Sequence, residues 1–216
     1  MRAAIFDLDG TLVNSLPGIA DALNSALAAQ GLSTHPRDLV ERFIGNGSRM
    51  LVRRGIGGEP PDALVDKIHE SFLSFYSESL ISGTHLYPGV RTMLKDLHLD
   101  GMPMAVCSNK PHQYTVAIMT QMFSWVPWIM VLGQKKSIPI KPDPTGALSI
   151  ASAMQIPASE IAFVGDSTVD FETARAAGMN PVLVEWGFSP LEKLALTTAP
   201  LVSSTTALRK CLQAPH

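Results

Sequence analysis

Ile5-Phe6-Asp7-Leu8-Asp9-Gly10-Thr11-Leu12-Val13-Asn14 is the stretch on which the reading of this chain turns. Arg2 to Phe6 is a short apolar run of the kind that makes a buried strand. It delivers two carboxylates, Asp7 and Asp9, to its carboxyl end, and Gly10-Thr11 then turns the chain. In an open parallel sheet, ligands bind at that end of the strands. Neighbouring aspartates repel unless a cation or a shared proton offsets their charge. An isolated Asp-x-Asp also occurs in ordinary capped turns, so the rest of the chain must decide its meaning.

Outward from this stretch the pattern changes twice. Pro17 sits where a first helical turn tolerates it, and Asn14 can cap that helix. Ile19, Ala22, Leu23, Ala26 and Leu27 then recur at helical spacing until Gly31. His35 to Leu80 reads as helical, interrupted at Gly45-Asn46-Gly47, at Gly55 to Gly58 and at Pro60-Pro61, with no strand-like run. From Tyr87 onward, helices alternate with short apolar runs. Strands are expected at Met104 to Cys107, Ile129 to Leu132, Ile161 to Val164, Pro181 to Glu185 and near Ala199 to Val202. Helices are expected from Val90 to near Gly101, Tyr114 to Met122, Ala147 to Met154 and Asp170 to Gly178. Such alternation predicts an α/β fold with a parallel sheet and right-handed crossovers.

Composition narrows the function classes. The chain has 216 residues, 46% of them hydrophobic, and a formal net charge of -2. A chain of this size can bury about 70% of its unfolded surface without disulfides or metal staples. The near-neutral charge argues against nucleic acid as the main partner, because binding a phosphate backbone needs a clear basic excess. Cys107 and Cys211 provide neither a disulfide framework nor zinc spacing. No targeting segment and no membrane-length apolar run is visible. A cytoplasmic protein with no membrane partner, monomeric or homodimeric, is the expectation.

Four expected strand ends or loops carry polar residues: Asp7 and Asp9; Ser108 and Asn109; Lys141 in Lys141-Pro142; and Asp166 with Asp170. Each alone has a plain explanation as a cap or turn residue. Together they would face one crevice above the sheet. Three carboxylates near one point suit a hard cation such as Mg²⁺. A hydroxyl, backbone amides and a lysine suit a phosphate dianion. Metal, phosphate and a free carboxylate are the equipment for phosphoryl transfer through an aspartyl-phosphate.

The ordered set Asp7-Leu-Asp9-Gly-Thr, Ser108-Asn109, Lys141-Pro and Gly165-Asp166-Ser-x-x-Asp170 resembles the haloacid dehalogenase superfamily on its phosphatase branch. Phe43-Ile-Gly-Asn-Gly47 and Ser108-Asn-Lys-Pro111 are most similar to its phosphoglycolate phosphatases. The resemblance implies a Rossmann-like α/β core over residues 1–15 and 86–216, with an inserted α-helical cap over 16–85. It implies that Asp7 is the nucleophile and a Mg²⁺ ligand. Asp9 would be the acid and base, its backbone carbonyl also on the metal. Ser108 and the Asn109 amide would hold the phosphoryl group, Lys141 would neutralise charge, Asp166 would bind metal, and Asp170 would position metal waters or Lys141. The implied partner is a small phosphorylated metabolite, 2-phosphoglycolate first. A sugar-phosphate mutase, a pyrophosphatase and a non-catalytic phospho-ligand binder are the alternatives.

Asp9 separates phosphatases from the dehalogenases of this superfamily, which lack an acid/base there; such catalysis is worth about 100- to 10,000-fold. Val169 stands where relatives often carry Asn, and Lys135 and Lys136 are rivals for the role of Lys141. In the cap, Gly45, Asn46 and Gly47 are expected to line the mouth of the site, with Arg49 meeting a substrate carboxylate. Glycine lets backbone approach a ligand, and arginine pairs carboxylates bidentately. Arg53 and Arg54 read as a solvated helix face. Trp125 and Trp128 read as core, with a dimer patch as the alternative.

Overall fold

The structure, a computed structural model, describes residues 1–44 and 46–214. In chain order these form β1 (Ala3–Phe6), β2 (Val13–Asn14), α1 (Leu16–Ala28), α2 (Arg37–Glu41), α3 (Ser48–Ile56) and α4 (Asp62–Ser79). Then come β3 (His85–Leu86), α5 (Val90–Leu99), β4 (Met104–Pro111), α6 (His112–Phe123), β5 (Val131–Gln134) and α7 (Thr145–Met154). The chain closes with β6 (Ile161–Gly165), α8 (Thr168–Ala176), β7 (Asn180–Val184), α9 (Leu191–Leu194), β8 (Leu201–Val202) and α10 (Thr205–Gln213). Two compact units result, Met1–Val13 with Leu86–His216, and Asn14–His85.

The first unit is built on a six-stranded sheet in the order β5-β4-β1-β6-β7-β8, with parallel pairs throughout. β1 lies between β4 and β6, with Phe6 beside both Val106 and Val164. Its residues Ala3, Ala4, Ile5 and Phe6 are fully buried, as expected of a strand covered on both faces. One face packs Ala3, Ile5, Ala105, Ile150, Ile161 and Phe163 together. On the other, Trp128 meets Phe6 and Phe123 edge to face, at 6.4 and 6.2 Å between ring centres. The order of connection reverses at β1, since the chain runs outward to β4 and β5 and then returns to β6. The crevice at the carboxyl ends of β4, β1 and β6 is therefore the topological switch point, where ligands bind in such sheets.

The second unit is helical. Ile19, Leu23 and Leu27 of α1 and Val65, Ile68, Phe72 and Tyr76 of α4 are buried. α1 opens with Pro17 in its first turn, and the Leu16 amide donates to Asn14 Oδ1 at 3.1 Å. A Cβ on Gly83 would lie 2.4 Å from Gly18 Cα, so only glycine allows these two ends of the unit to touch. The Gly18 amide donates to the Gly83 carbonyl at 3.2 Å. Among the described residues, no helix is long and apolar enough to cross a membrane.

Candidate active site

Asp7 follows β1 directly, its amide donating to the Val164 carbonyl at 2.8 Å. The chain then tightens into a turn in which the Leu8 carbonyl accepts from the Leu12 and Val13 amides, both at 3.0 Å. Gly10 takes a φ of 86°, which glycine adopts without steric cost. A Cβ at Gly10 would come within 2.4 Å of Asp166, and one at Gly187 within 2.2 Å. Two bare backbones thus close around the Asp166 carboxylate.

Asp166 follows β6 directly, and the Phe188 amide donates to its Oδ2 at 2.7 Å. Asp170 is held by a reciprocal cap on α8. Its amide donates to Ser167 Oγ at 3.3 Å, and the Ser167 amide and hydroxyl donate to its Oδ2 at 3.1 and 2.6 Å. That leaves Oδ1 facing Lys141, whose Nζ lies 2.6 Å away and also 2.9 Å from Asp7 Oδ1. Lys135 and Lys136 are exposed, whereas Lys141 is buried.

Asn109 explains how Lys141 is kept there. Its Oδ1 accepts from the Lys141 amide at 2.8 Å, and its Nδ2 donates to the Lys141 carbonyl at 3.0 Å. One side chain on β4 therefore pins the loop from both sides. Ser108, its buried neighbour, accepts from the Lys110 amide at 3.3 Å. Lys110 was not among the expected site residues, yet its Nζ lies 3.0 and 2.9 Å from the two oxygens of Asp9.

Carboxylate oxygens of Asp7, Asp166 and Asp170 lie within 4.8 Å of one another, and all three residues are buried. Burial pushes the Asp7 carboxyl up to about 6; Asp170 adds to the rise and Lys141 opposes it. Burial also raises Asp166 well above the usual carboxylate range, with Asp170 and Asp7 adding to it. Lys141 is raised as well, because the charges of Asp170 and Asp7 outweigh its own burial. Three buried carboxylates against the Lys141 ammonium leave negative charge over, which is what a hard divalent cation would offset. Burial lifts the Cys107 thiol to about 12 and keeps it out of the chemistry.

A stability prediction follows for metal-free protein. An acid whose folded value exceeds its unfolded value stabilises the fold at low pH and loses that contribution as pH rises. For Asp7 the window runs from 3.8 to about 6. In chelator, the melting temperature of wild type relative to Asp7→Asn is expected to rise by several degrees between pH 7 and pH 5, and adding Mg²⁺ at pH 7 should recover the difference. A difference between the two that stays constant over that range would contradict the assignment.

In the helical unit, Gly45 lies outside the described residues. Asn46 has a φ of 58°, and its Oδ1 accepts from Arg54 at 2.9 Å. Arg54 also donates to the Phe43 carbonyl at 2.8 Å, so it braces this loop, a role that a reading of the helix face alone does not reveal. Gly47 is the cap residue of α3. Arg49 reaches Asp62 at 2.9 Å and Asp66 at 2.7 Å on α4. Asp62 also accepts from Arg53.

Residues 4–184 match the family model of haloacid dehalogenase-like hydrolases. A phosphoglycolate phosphatase of Pectobacterium atrosepticum is 35% identical over 94% of this chain and 88% of its own length. One from Rhodospirillum rubrum is 35% identical over 87% and 81%. The crystal structure of a predicted phosphoglycolate phosphatase from Haemophilus somnus superimposes with a TM-score of 0.89, at 29% identity, covering 99% of this chain and 98% of that one.

Proposed function

The chain belongs to the haloacid dehalogenase-like hydrolases, and on that premise we propose that it is a Mg²⁺-dependent phosphatase of small phosphomonoesters, with 2-phosphoglycolate the first candidate. The observation that carries this reading is the convergence of Asp7, Lys141, Asp166 and Asp170 at the carboxyl ends of adjacent central strands. The names of the relatives above support the substrate.

Asp7 attacks phosphorus and displaces the alcohol, forming an acyl phosphate on its own carboxylate. Asp9 gives a proton to the departing oxygen, then takes one from the water that cleaves the acyl phosphate. Ser108 Oγ and the Asn109 amide hold the phosphoryl oxygens. Lys141 offsets charge on Asp7 and on the group in transit. Asp7, Asp166 and the Asp9 carbonyl would hold Mg²⁺, with Asp170 behind them. When bound, that ion supplies charge neutralisation to the phosphoryl oxygens. Asn14–His85 acts as a cap, to which Asn46 and Gly47 contribute substrate contacts. Arg49, paired with Asp62 and Asp66 in its own unit, is the cap's candidate for a substrate carboxylate.

The experiment is phosphate release from 2-phosphoglycolate, glucose 1-phosphate, pyrophosphate and a nucleoside monophosphate, each with Mg²⁺ and with chelator. Metal-dependent release, fastest with 2-phosphoglycolate, is expected. Equal rates across the monoesters would discard that substrate and keep the chemistry; silence on every compound would discard the phosphatase.

A further inference from the structure

Lys110 is the buried cation that these roles leave without a task. Its side chain is only 3% exposed, beside an Asp9 side chain at 15%. An ammonium is costly to bury unless charge meets it, and both Asp9 oxygens do so. The backbone around it is braced. The Thr115 hydroxyl donates to the Lys110 carbonyl at 3.2 Å. Across from it, a Cβ on Gly133 would lie 2.8 Å from that same carbonyl. The register of β4 against β5 shifts between Cys107 and Pro111, and this irregularity spans Lys110. Bulges of this kind re-aim side chains next to active sites.

We propose that Lys110 is a specificity-determining residue that reads a second negative charge on the leaving alcohol, the carboxylate of a phosphorylated 2-hydroxy acid. The inference rests on the phosphatase reading above, in which Asp9 touches the leaving oxygen. Two hydrogen bonds of about 3 Å each then put the ammonium no more than about 6 Å from that oxygen. In a phosphorylated 2-hydroxy acid, the carboxylate carbon is two covalent bonds from the same oxygen, within that reach. Arg49, ion-paired with Asp62 and Asp66 in its own unit, is the competing reader.

The test compares kcat/KM for 2-phosphoglycolate and for ethyl phosphate, which carries a methyl group in place of the carboxylate. Wild type, Lys110→Met, Lys110→Arg and Arg49→Ala are measured, with thermal melts to establish that each is folded. Wild type should prefer 2-phosphoglycolate. Lys110→Met should lower that preference by about 10- to 100-fold, the range of one hydrogen bond to a charged group, mainly through KM. Lys110→Arg should keep most of it. An equal loss on both substrates would mean that Lys110 only positions Asp9, and would overturn the inference. So would a wild type that is active on both esters without preference, or a larger loss of preference in Arg49→Ala than in Lys110→Met. A wild type inert on all phosphomonoesters overturns the phosphatase reading itself, and this inference with it.

Discussion

Asp7→Asn is expected to cut phosphate release by roughly 10,000-fold or more while leaving the protein folded. The amide matches the carboxylate in shape but cannot form the acyl phosphate. Lys141 keeps its 2.6 Å contact with Asp170, so the change does not strand a buried ammonium. Removing a carboxylate that burial already disfavours should leave the metal-free melting temperature at pH 7 unchanged or higher. Initial rates with saturating Mg²⁺, beside melts in chelator, make the measurement. A variant within tenfold of wild type would rule out the covalent route through Asp7.

Lys141→Met should damage stability as well as activity. Its side chain is 5% exposed, lies between Asp7 and Asp170, and has Nζ 5.6 Å from the centre of the Phe163 ring. Removing one partner from a buried ion pair costs about 3–5 kcal/mol, because the carboxylates left behind stay buried and uncompensated. For a chain of this size that lowers the melting temperature by about 6–20 °C. Mg²⁺ should restore part of the loss, since it supplies charge of the same sign to the same carboxylates. A melting temperature in chelator within about two degrees of wild type corresponds to less than about 1 kcal/mol. That result would show that Lys141 does not hold this cluster together.

Much of this was legible in the sequence, for physical reasons that differ along the chain. Ala3 to Phe6 and Ile161 to Val164 are continuous apolar runs with an aspartate at or one residue past their ends, a pattern that a fully covered strand imposes whatever its neighbours. The sequence reading opens the next helix at Asp170, whereas Ser167 caps it three residues earlier, a local contact that spacing alone could have shown. The pairing of Lys110 with Asp9 joins residues that only the β1–β4 alignment and the irregularity of β4 bring together, and neither is written in local spacing. The grip of Asn109 on the Lys141 backbone is hidden in the same way: the residue suggests an amide for phosphate, while its side chain serves the loop. At the far end, α10 goes unassigned in the sequence reading, although Ser204 before Ala207, Leu208 and Leu212 carries a local signal. Its side chain accepts from the Ala207 amide at 3.2 Å.

The contact of Gly18 with Gly83 bears on how this molecule reaches its fold. β1 must find β4 across the whole inserted segment, with Phe6 settling beside Val106. Closing a long flexible loop costs entropy that grows with the logarithm of its length, and non-local pairings of this kind slow folding. An insertion whose own ends are joined by the Gly18 amide and the Gly83 carbonyl removes most of that span once it has formed. The search that remains for β1 then runs over about a dozen residues before Gly18 and about twenty after Gly83. Two glycines thus shorten the path between distant strand partners whenever the helical unit forms before the central sheet.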